Sequence, residues 1–523
     1  MAETRTTTRK YQLPILPTVA TAVADTGTAA AASGHRITLG PRIGVLTLGC
    51  DKNTVDTERL LARLAGAGAN LATNAADADV VIVNTCGFID AAREESVDTI
   101  LEAVRLRSEG RVRAVVAMGC LVQRYKAELA AEIPEVDLFL GLTEIERLVP
   151  ELRALGLVPP AGTAPTMERT LRVLSTRSRH SSYLKVSEGC DHTCAFCAIP
   201  LMRGKHRSTP IAQLVQEAQD LEKQGVLELN LVSQDTTWYG RDTARGLTSG
   251  DTEFFVGRPF AGMSGAPATI AALARGGPAE GARHGMLTEL LRALLDETAV
   301  PWLRLFYMYP SGIRRELVDL MACEPRIVPY LDMPIQHGSD AVLTRMRRPE
   351  RRATILERVA WLRAALPDVT LRTTVIVGFP GETEDDFDAL LDLLEEVRFD
   401  RLGAFPYSVE ENTAAAAMDG QVSDAVKRDR MERLLELQRG IAAERAETWV
   451  GREVDVLVDR MVGRASDLDP SDVRGAVART VGQAPEVDSV VHIADARTTE
   501  AGRFTRVRIT DVIDEDLTGE LVA

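Results

Sequence analysis

The sequence predicts an α/β protein in three parts: a doubly wound α/β domain, then a (βα) barrel of the partial TIM type, then a small antiparallel β-barrel. Three observations predict it. Short β-branched apolar runs alternate with helical patterns between Ile43 and Met118, the signature of buried parallel strands joined by crossover helices. The alternation resumes between Tyr183 and Ser408 in about six βα units. After Trp449 it gives way to Val-rich segments separated by turns, the pattern of a small barrel. A chain of 523 residues is also too long for one core and suggests domains of ~150 residues each.

Residues 1–40 are rich in Ala and Thr, with Pro14 and Pro17 against any helix. Arg5, Arg9 and Lys10 precede a weakly apolar stretch that Asp25 interrupts, so the segment reads as a disordered extension rather than a signal peptide. Residues 41–158 form the first domain, with strands at Ile43–Leu48, Val80–Val83 and Val112–Met118 and helices over Glu58–Leu64 and Ser96–Val104. Each strand runs into a cysteine: Cys50, Cys86 and Cys120. In a parallel sheet the carboxyl ends of strands share one edge, where ligands bind, so the three thiols should converge. The alternative is three buried thiols acting as small hydrophobes; the glycines Gly49, Gly87 and Gly119 beside them favour a backbone shaped for close approach.

A Pro/Gly/Thr linker near Pro159–Thr166 leads to the barrel domain, residues 170–420. Strands are expected at Tyr183–Ser187, Glu228–Val232, Trp302–Met308, Tyr330–Met333, Leu371–Val377 and Leu402–Phe405, with helices such as Ile211–Lys223 and Leu287–Leu295 between them. Residues 241–285, rich in Gly, Ala and Thr, read as a flexible insertion. A charged amphipathic helix over Val422–Glu447 (421–448) connects to the last domain, 449–523, with strands at Val454–Val458, Val490–Ile493 and Thr505–Ile509.

Seven cysteines, an odd number, are too few for a disulfide scaffold and suit metal or redox chemistry in a reducing, cytoplasmic compartment. No uncharged apolar run approaches the ~18 residues that would span a bilayer. Cys190, Cys194 and Cys197 set three thiolates within one loop after the first barrel strand, enough to wrap an inorganic cluster. Three ligands on a four-iron cube leave one iron free for substrate. A structural zinc would recruit a fourth ligand, for which His192 is the nearest candidate.

The Cys-x3-Cys-x2-Cys loop resembles the radical S-adenosylmethionine (SAM) signature. Together with Gly49-Cys50-Asp51-Lys52-Asn53, Asn84-Thr85-Cys86-Gly87-Phe88-Ile89, Gly119-Cys120, Ser187-Glu188-Gly189-Cys190, Ile199-Pro200 and Arg203-Gly204, it resembles the methylthiotransferase family of radical SAM enzymes. The likeness runs from about Ile43 to the end, the insertion excepted, and implies a cluster domain, a radical SAM barrel and a C-terminal TRAM domain. Asp51-Lys52-Asn53, Ser233-Gln234-Asp235-Thr236-Thr237 and Leu331-Asp332-Met333-Pro334-Ile335-Gln336-His337 resemble the RimO-type branch, which modifies an aspartate of ribosomal protein S12. The tRNA-adenosine (MiaB-type) branch usually has Gln-Met-Asn after the first cysteine. Gly338 departs from the expected pattern.

The resemblance implies two 4Fe-4S clusters. One, on Cys190, Cys194 and Cys197 as metal ligands and catalytic residues, would reduce SAM to a 5′-deoxyadenosyl radical that abstracts hydrogen from an unactivated carbon. The other, on Cys50, Cys86 and Cys120, would carry the sulfur. A second SAM would methylate it, and both free irons would face one chamber. Such chemistry needs no general base. An electron donor such as flavodoxin or ferredoxin and a monomeric enzyme are implied as well. Gln234, Gly378 and Gln336 resemble SAM-contacting positions, although Gly378 also suits a tight turn and Gln234 a structural role. His337 reads as a ligand contact or a structural histidine. Arg203, Lys205, His206 and Arg207 read as anion-binding or as a solvated basic loop. Cys323 matches no motif and is expected to be a buried thiol.

The net charge of −15 disfavours generic binding to nucleic-acid phosphate. After Arg508 come Asp511, Asp514, Glu515, Asp516 and Glu520 with no Lys or Arg, which suits a basic ribosomal protein better than RNA. The other reading is a solvated acidic terminus.

Overall fold

A computed structural model describes residues 40–72, 77–162, 171–175, 179–242, 286–463 and 473–522. The expected N-terminal extension, nearly all of the insertion and part of the linker lie outside the described residues. The chain divides into two compact units, one mainly up to Arg177 and the other mainly from Ser178.

The first unit is a five-stranded parallel sheet in the order β2-β1-β3-β4-β5, formed by Arg42–Thr47 (β1), Asn70–Leu71 (β2), Val80–Thr85 (β3), Ala114–Gly119 (β4) and Leu138–Gly141 (β5). Every residue of β3 and β4 is buried, as a parallel strand covered on both faces requires. Helices Asp51–Gly66 (α1) and Leu148–Ala154 (α4) cover one face, packing Leu60, Leu61, Leu64, Leu148 and Leu152 on Ile43, Ile82 and Val116. Helices Asp90–Ser108 (α2) and Cys120–Glu132 (α3) cover the other, with Ile100, Ala103, Leu121 and Leu129 against Val81, Val83 and Val115. At roughly 1.5–3 kcal/mol for each fully buried leucine, these two layers set the register of the sheet. The order reverses between β1 and β3, the switch point at which doubly wound sheets hold ligands.

The second unit contains a six-stranded parallel sheet, β6-β9-β10-β11-β12-β13, made of Ser181–Lys185 (β6), Glu228–Val232 (β9), Trp302–Leu305 (β10), Ile327–Asp332 (β11), Thr370–Val377 (β12) and Arg401–Pro406 (β13). The sheet does not pair β13 back to β6, so the barrel is partial. A short ribbon of Ser187–Glu188 (β7) and Arg207–Ser208 (β8) lies beyond β6. Helices Ile199–Arg203 (α5), Ile211–Lys223 (α6), Met286–Glu297 (α7), Arg315–Cys323 (α8), Asp340–Arg345 (α9), Arg352–Ala365 (α10) and Glu384–Val397 (α11) separate the strands. Helix α11 starts on a reciprocal cap in which the Thr383 hydroxyl and the Asp386 carboxylate satisfy each other's backbone amides.

Helix Asp424–Glu447 (α12), capped by Ser423, leads into a closed barrel of Glu453–Gly463 (β14), Val473–Arg479 (β15), Val491–Ile493 (β16), Phe504–Ile513 (β17) and Asp516–Leu521 (β18). One pairing departs from the antiparallel expectation: β16 and β18 run parallel. The acidic tail is no loose terminus, because it folds as β18 with Leu517 buried.

The small barrel is keyed into the larger one through charge. Glu228, at the start of β9, pairs with Arg304 and with Arg479 of β15 at 2.9 and 2.8 Å, all fully buried. Arg479 also grips Asp459 at 2.6 Å, and Asp459 meets His180 at 3.0 Å. In the loop after β15 the Val481 carbonyl accepts from the Arg304 guanidinium at 2.6 Å and the Asp488 carboxylate accepts from the Tyr330 hydroxyl at 2.8 Å. Burial raises the Glu228 and Asp459 carboxyls, but Arg479 and Arg304 on the first, and His180 and Arg479 on the second, outweigh it and hold both below the usual range.

Candidate active site

In the first unit the three cysteines each follow one of three adjacent parallel strands. Thr47 aligns with Asn84 and Thr85 with Gly119, so Cys50, Cys86 and Cys120 leave adjacent strands at one edge. Glycine makes this possible. A Cβ on Gly49 would lie 2.8 Å from the Cys86 sulfur, and one on Gly87 would lie 2.9 Å from the Leu121 backbone just after Cys120. Gly49 and Gly119 both adopt positive φ, +87° and +106°, which side-chain-bearing residues avoid. Cys50 is the N-cap of α1 and Cys120 the first residue of α3, and the partial positive charge of helix N-termini favours thiolate and anionic clusters.

Asn53 organises this edge. Fully buried, its amide nitrogen donates to the Leu48 and Thr85 carbonyls at 2.7 and 3.1 Å, and its oxygen stands 3.7 Å from the Cys120 sulfur. Asn84 ties the Asn53 carbonyl and the Thr57 hydroxyl to β3. Thus Asn53, noted in the sequence only as part of a motif, bridges all three strand ends.

In the second unit Cys190, Cys194 and Cys197 sit on the loop after β7. Gly189 turns the chain at φ +71°, where a Cβ would collide with the Lys205 carbonyl, and the Cys190 amide donates to the Gly204 carbonyl at 3.0 Å. The Ala195 amide binds the Met346 carbonyl and the Cys197 amide the Cys194 carbonyl. Below the loop Glu188 is buried between Lys185 and Arg203, at 2.5 and 2.8 Å. Burial raises its carboxyl, but Arg203 and Lys185 prevail and keep it ionised. Burial, with the neighbouring Cys194, pushes the Cys190 and Cys197 thiols up to about 12, so in the metal-free protein they hold their protons and a bound cluster would displace them.

The donor sets fit iron-sulfur clusters. All six thiols are free of disulfides, and each set supplies three sulfurs. Among the described residues no three His, Cys, Asp or Glu side chains are arranged to share a single metal ion. His192, the candidate fourth zinc ligand, is engaged elsewhere: its Nε2 meets Asp235 at 2.7 Å, its ring stacks on Tyr309 at 4.6 Å, and it tilts against Trp238 at 4.1 Å.

The other predicted residues separate. Gln234 lies two residues past the end of β9 and is half-buried beside Asp235. Gln336 is 8% exposed, at φ +70°, its backbone stitched to β12 through the Thr374 carbonyl and the Ile376 amide; a side-chain-bearing residue in this strained region at a strand end is typical of ligand sites. Gly378, at φ +72°, packs so closely on the Lys427 side chain of α12 that a Cβ there would collide with its Cγ, so its need for glycine is explained by packing. His337 is fully buried, with Nδ1 accepting the Ser339 amide at 3.0 Å and Nε2 3.6 Å from Glu382, a structural histidine. Gly338 faces the α11 backbone, where a Cβ would stand 2.6 Å from the Leu390 Cα, so in this chain the position has no room for a side chain.

Two expectations need correction. Arg203, Lys205, His206 and Arg207 are not one basic surface: Arg203 and His206 are buried, against Glu188 and Ser208, whereas Lys205 and Arg207 are exposed. Cys323 is exposed rather than buried, because α8 turns Leu317, Val318 and Met321 inward and ends with Cys323 outside that face. Sequence reasoning also missed Arg348, fully buried with Nη1 3.7 Å from the Cys194 sulfur. Nothing in Arg347-Arg348-Pro349 distinguishes it from a surface pair.

Three family models match the chain: Uncharacterized protein family UPF0004 over residues 42–141, the Radical SAM superfamily over 184–394 and the TRAM domain over 450–522. Among curated proteins, the ribosomal protein uS12 methylthiotransferase RimO of Anaeromyxobacter sp. (strain Fw109-5) is 43% identical, covering 92% of this chain and 93% of its own. The protein of the same name from Symbiobacterium thermophilum is 42% identical over 92% and 90%, and that from Aquifex aeolicus 39% over 91% and 96%. Among solved structures, the radical SAM methyltransferase TsrM from Kitasatospora setae with cobalamin and a [4Fe-4S] cluster bound aligns at a TM-score of 0.48 and 14% identity, over 83% of this chain and 82% of that one.

Proposed function

The chain belongs to the ribosomal protein uS12 methylthiotransferases of the RimO type, and from that premise we propose how its residues divide the work. It is a radical SAM methylthiotransferase that adds a methylthio group to the β-carbon of an aspartate of ribosomal protein S12, with one SAM as radical source and one as methyl donor. When bound, two 4Fe-4S clusters and SAM supply the one-electron, sulfur and methyl chemistry that side chains cannot.

Cys190, Cys194 and Cys197 hold the cluster that binds SAM, and Cys50, Cys86 and Cys120 hold the cluster that carries sulfur. The loop of the first set keeps its shape through the buried Lys185–Glu188–Arg203 network and the Gly204 and Met346 carbonyls. Asn53 and the glycines Gly49 and Gly87 let the second set close on one point. Gln234 and Gln336, at the carboxyl ends of β9 and β11, orient SAM, and Gly378 preserves the turn beside them. The domains are divided as 41–158, 170–420 with the 241–285 insertion, the helix 421–448, and 449–523. The enzyme works as a cytoplasmic monomer that receives electrons from a flavodoxin or ferredoxin.

The observation that carries this reading is six free thiols in two sets of three, each at a strand-terminal edge or loop built around glycine. A protein substrate is favoured over RNA by the small barrel, where Arg506, Arg508, Arg497 and Arg503 are each paired with an acid: Asp455, Glu453, Asp495 and Glu500. The test is intact-mass analysis of ribosomal protein S12 after incubation with reconstituted enzyme, SAM and reductant. The expected result is a gain of one methylthio group in place of one hydrogen, mapped to an aspartate. An unmodified S12 alongside methylthiolated adenosine in tRNA would overturn it.

A further inference from the structure

We propose that Arg348 is a tuning residue, whose guanidinium places a fixed positive charge against Cys194 and makes the cluster on that loop easier to reduce. The inference rests on the assignment of Cys190, Cys194 and Cys197 as ligands. Arg348 follows α9 and is fully buried, a costly position for a charge unless the site uses it. Its Nη1 lies 3.7 Å from the Cys194 sulfur and its Nη2 donates to the Pro334 carbonyl at 3.1 Å. Its guanidinium carbon lies over the Tyr309 ring at 3.8 Å. Tyr309 stacks on His192, which Asp235 anchors from the loop after β9. The cation is thereby fixed within a stack that includes a residue of the cluster loop itself.

Charge compensation is one-sided. Glu350, also fully buried, faces the Nε edge of Arg348 at 3.1 Å and accepts from the Ser311 hydroxyl at 3.0 Å. The pair is therefore a dipole with its positive end toward the sulfur. Arginine keeps its proton at any working pH, and water does not screen a buried charge as it does an exposed one. An added electron on a thiolate-bound cluster is stabilised by that positive end, as hydrogen bonds and charge near cluster sulfurs generally raise the potential. Nothing in the SAM signature itself requires a cation here, so this is a property of the chain's own packing.

The test is a redox titration followed by electron paramagnetic resonance, on the full chain carrying Cys50→Ala, Cys86→Ala and Cys120→Ala so that one cluster titrates. Arg348→Gln is expected to lower the reduced-to-oxidised ratio at fixed potential about tenfold, a midpoint about 59 mV more negative for a one-electron couple. Arg348→Lys keeps the charge and shifts it less. Glu350→Gln removes the counter-charge and shifts the midpoint the opposite way. Opposite signs for the Arg348 and Glu350 variants support the proposal, since a purely structural role would not move the potential in two directions. Unchanged midpoints, or shifts of the same sign, overturn it. If Arg348→Gln fails to hold iron, Arg348→Lys and Glu350→Gln decide: a negative shift in the first with a positive shift in the second supports the proposal, and any other result overturns it. Iron retained at full level by Cys194→Ala in the same background would instead overturn the ligand assignment, a separate outcome.

Discussion

Gly49→Ala is the substitution whose effect follows most directly from the geometry. At φ +87° an alanine incurs the cost of a left-handed backbone, about 1–2 kcal/mol. Its methyl would also stand 2.7 Å from the Cys86 Cβ and 2.8 Å from the sulfur. Cys86 has little room to retreat, because its amide donates to the Ser96 hydroxyl and its carbonyl accepts from it, both at 2.9 Å. The thiol must therefore rotate away from the position it holds at the end of β3. Gly110→Ala is the control: φ is +73° but nothing lies within 4 Å of its Cβ, so it carries the backbone cost alone. Beyond that control, Gly49→Ala should weaken the N-terminal cluster by about 2 kcal/mol, roughly 30-fold in affinity. Chelator competition on the anaerobically reconstituted enzyme reads this as iron lost per chain, with SAM cleavage intact and methylthio product reduced. If the Gly49 and Gly110 variants resist chelator equally and form equal product, the convergence argument fails.

Cys194→Ala should abolish SAM cleavage, whereas Cys86→Ala should still release 5′-deoxyadenosine yet form no methylthio product; chromatography of the nucleoside with mass analysis of S12 separates the two, and methylthio product from the Cys86 variant would defeat the two-cluster assignment. Arg479→Met leaves Glu228 and Asp459 each short of a buried cation and should cost about 3–5 kcal/mol in urea unfolding. Adding Glu228→Gln should recover part of that loss, and strict additivity would argue against their coupling. Because Glu228, Asp459 and Glu188 are held below the usual carboxylate range, their contribution is complete above about pH 4, the unfolded value, and is lost as pH falls through their folded values. Thermal unfolding should accordingly be insensitive to these groups from neutrality to about pH 4 and drop below it; the same drop in the Arg479→Met variant would show that Glu228 and Asp459 contribute little.

The parts of this fold that sequence displays are those where one physical rule acts locally. Val80–Thr85 and Ala114–Gly119 are covered on both faces, so they read as unbroken apolar runs, and a parallel sheet then brings Cys50, Cys86 and Cys120 to one edge. The Cys190 loop is legible because its three cysteines lie within eight residues of one another. What was missed depends on partners distant in sequence. Leu138–Gly141 is too short to announce a strand, and β18 looks like an acidic tail until β16 and β17 flank it. Arg348 is separated from Cys194 by 154 residues, and no local pattern tells a buried guanidinium from a solvated one. The glycine at 378 was read through motif likeness, whereas Lys427 packing against it is visible only in three dimensions.

The ion-pair lock between the two barrels has a consequence for biosynthesis. His180 lies 279 residues ahead of Asp459, and Arg304 lies 177 ahead of the Val481 carbonyl. A nascent chain thus exposes the underside of its catalytic sheet, with polar groups still lacking their mates, until the small barrel emerges from the ribosome. That sheet is sealed only after the small barrel has been made. Chains cut short before Arg479 should therefore be cleared as misfolded rather than persist as enzymes lacking an accessory domain.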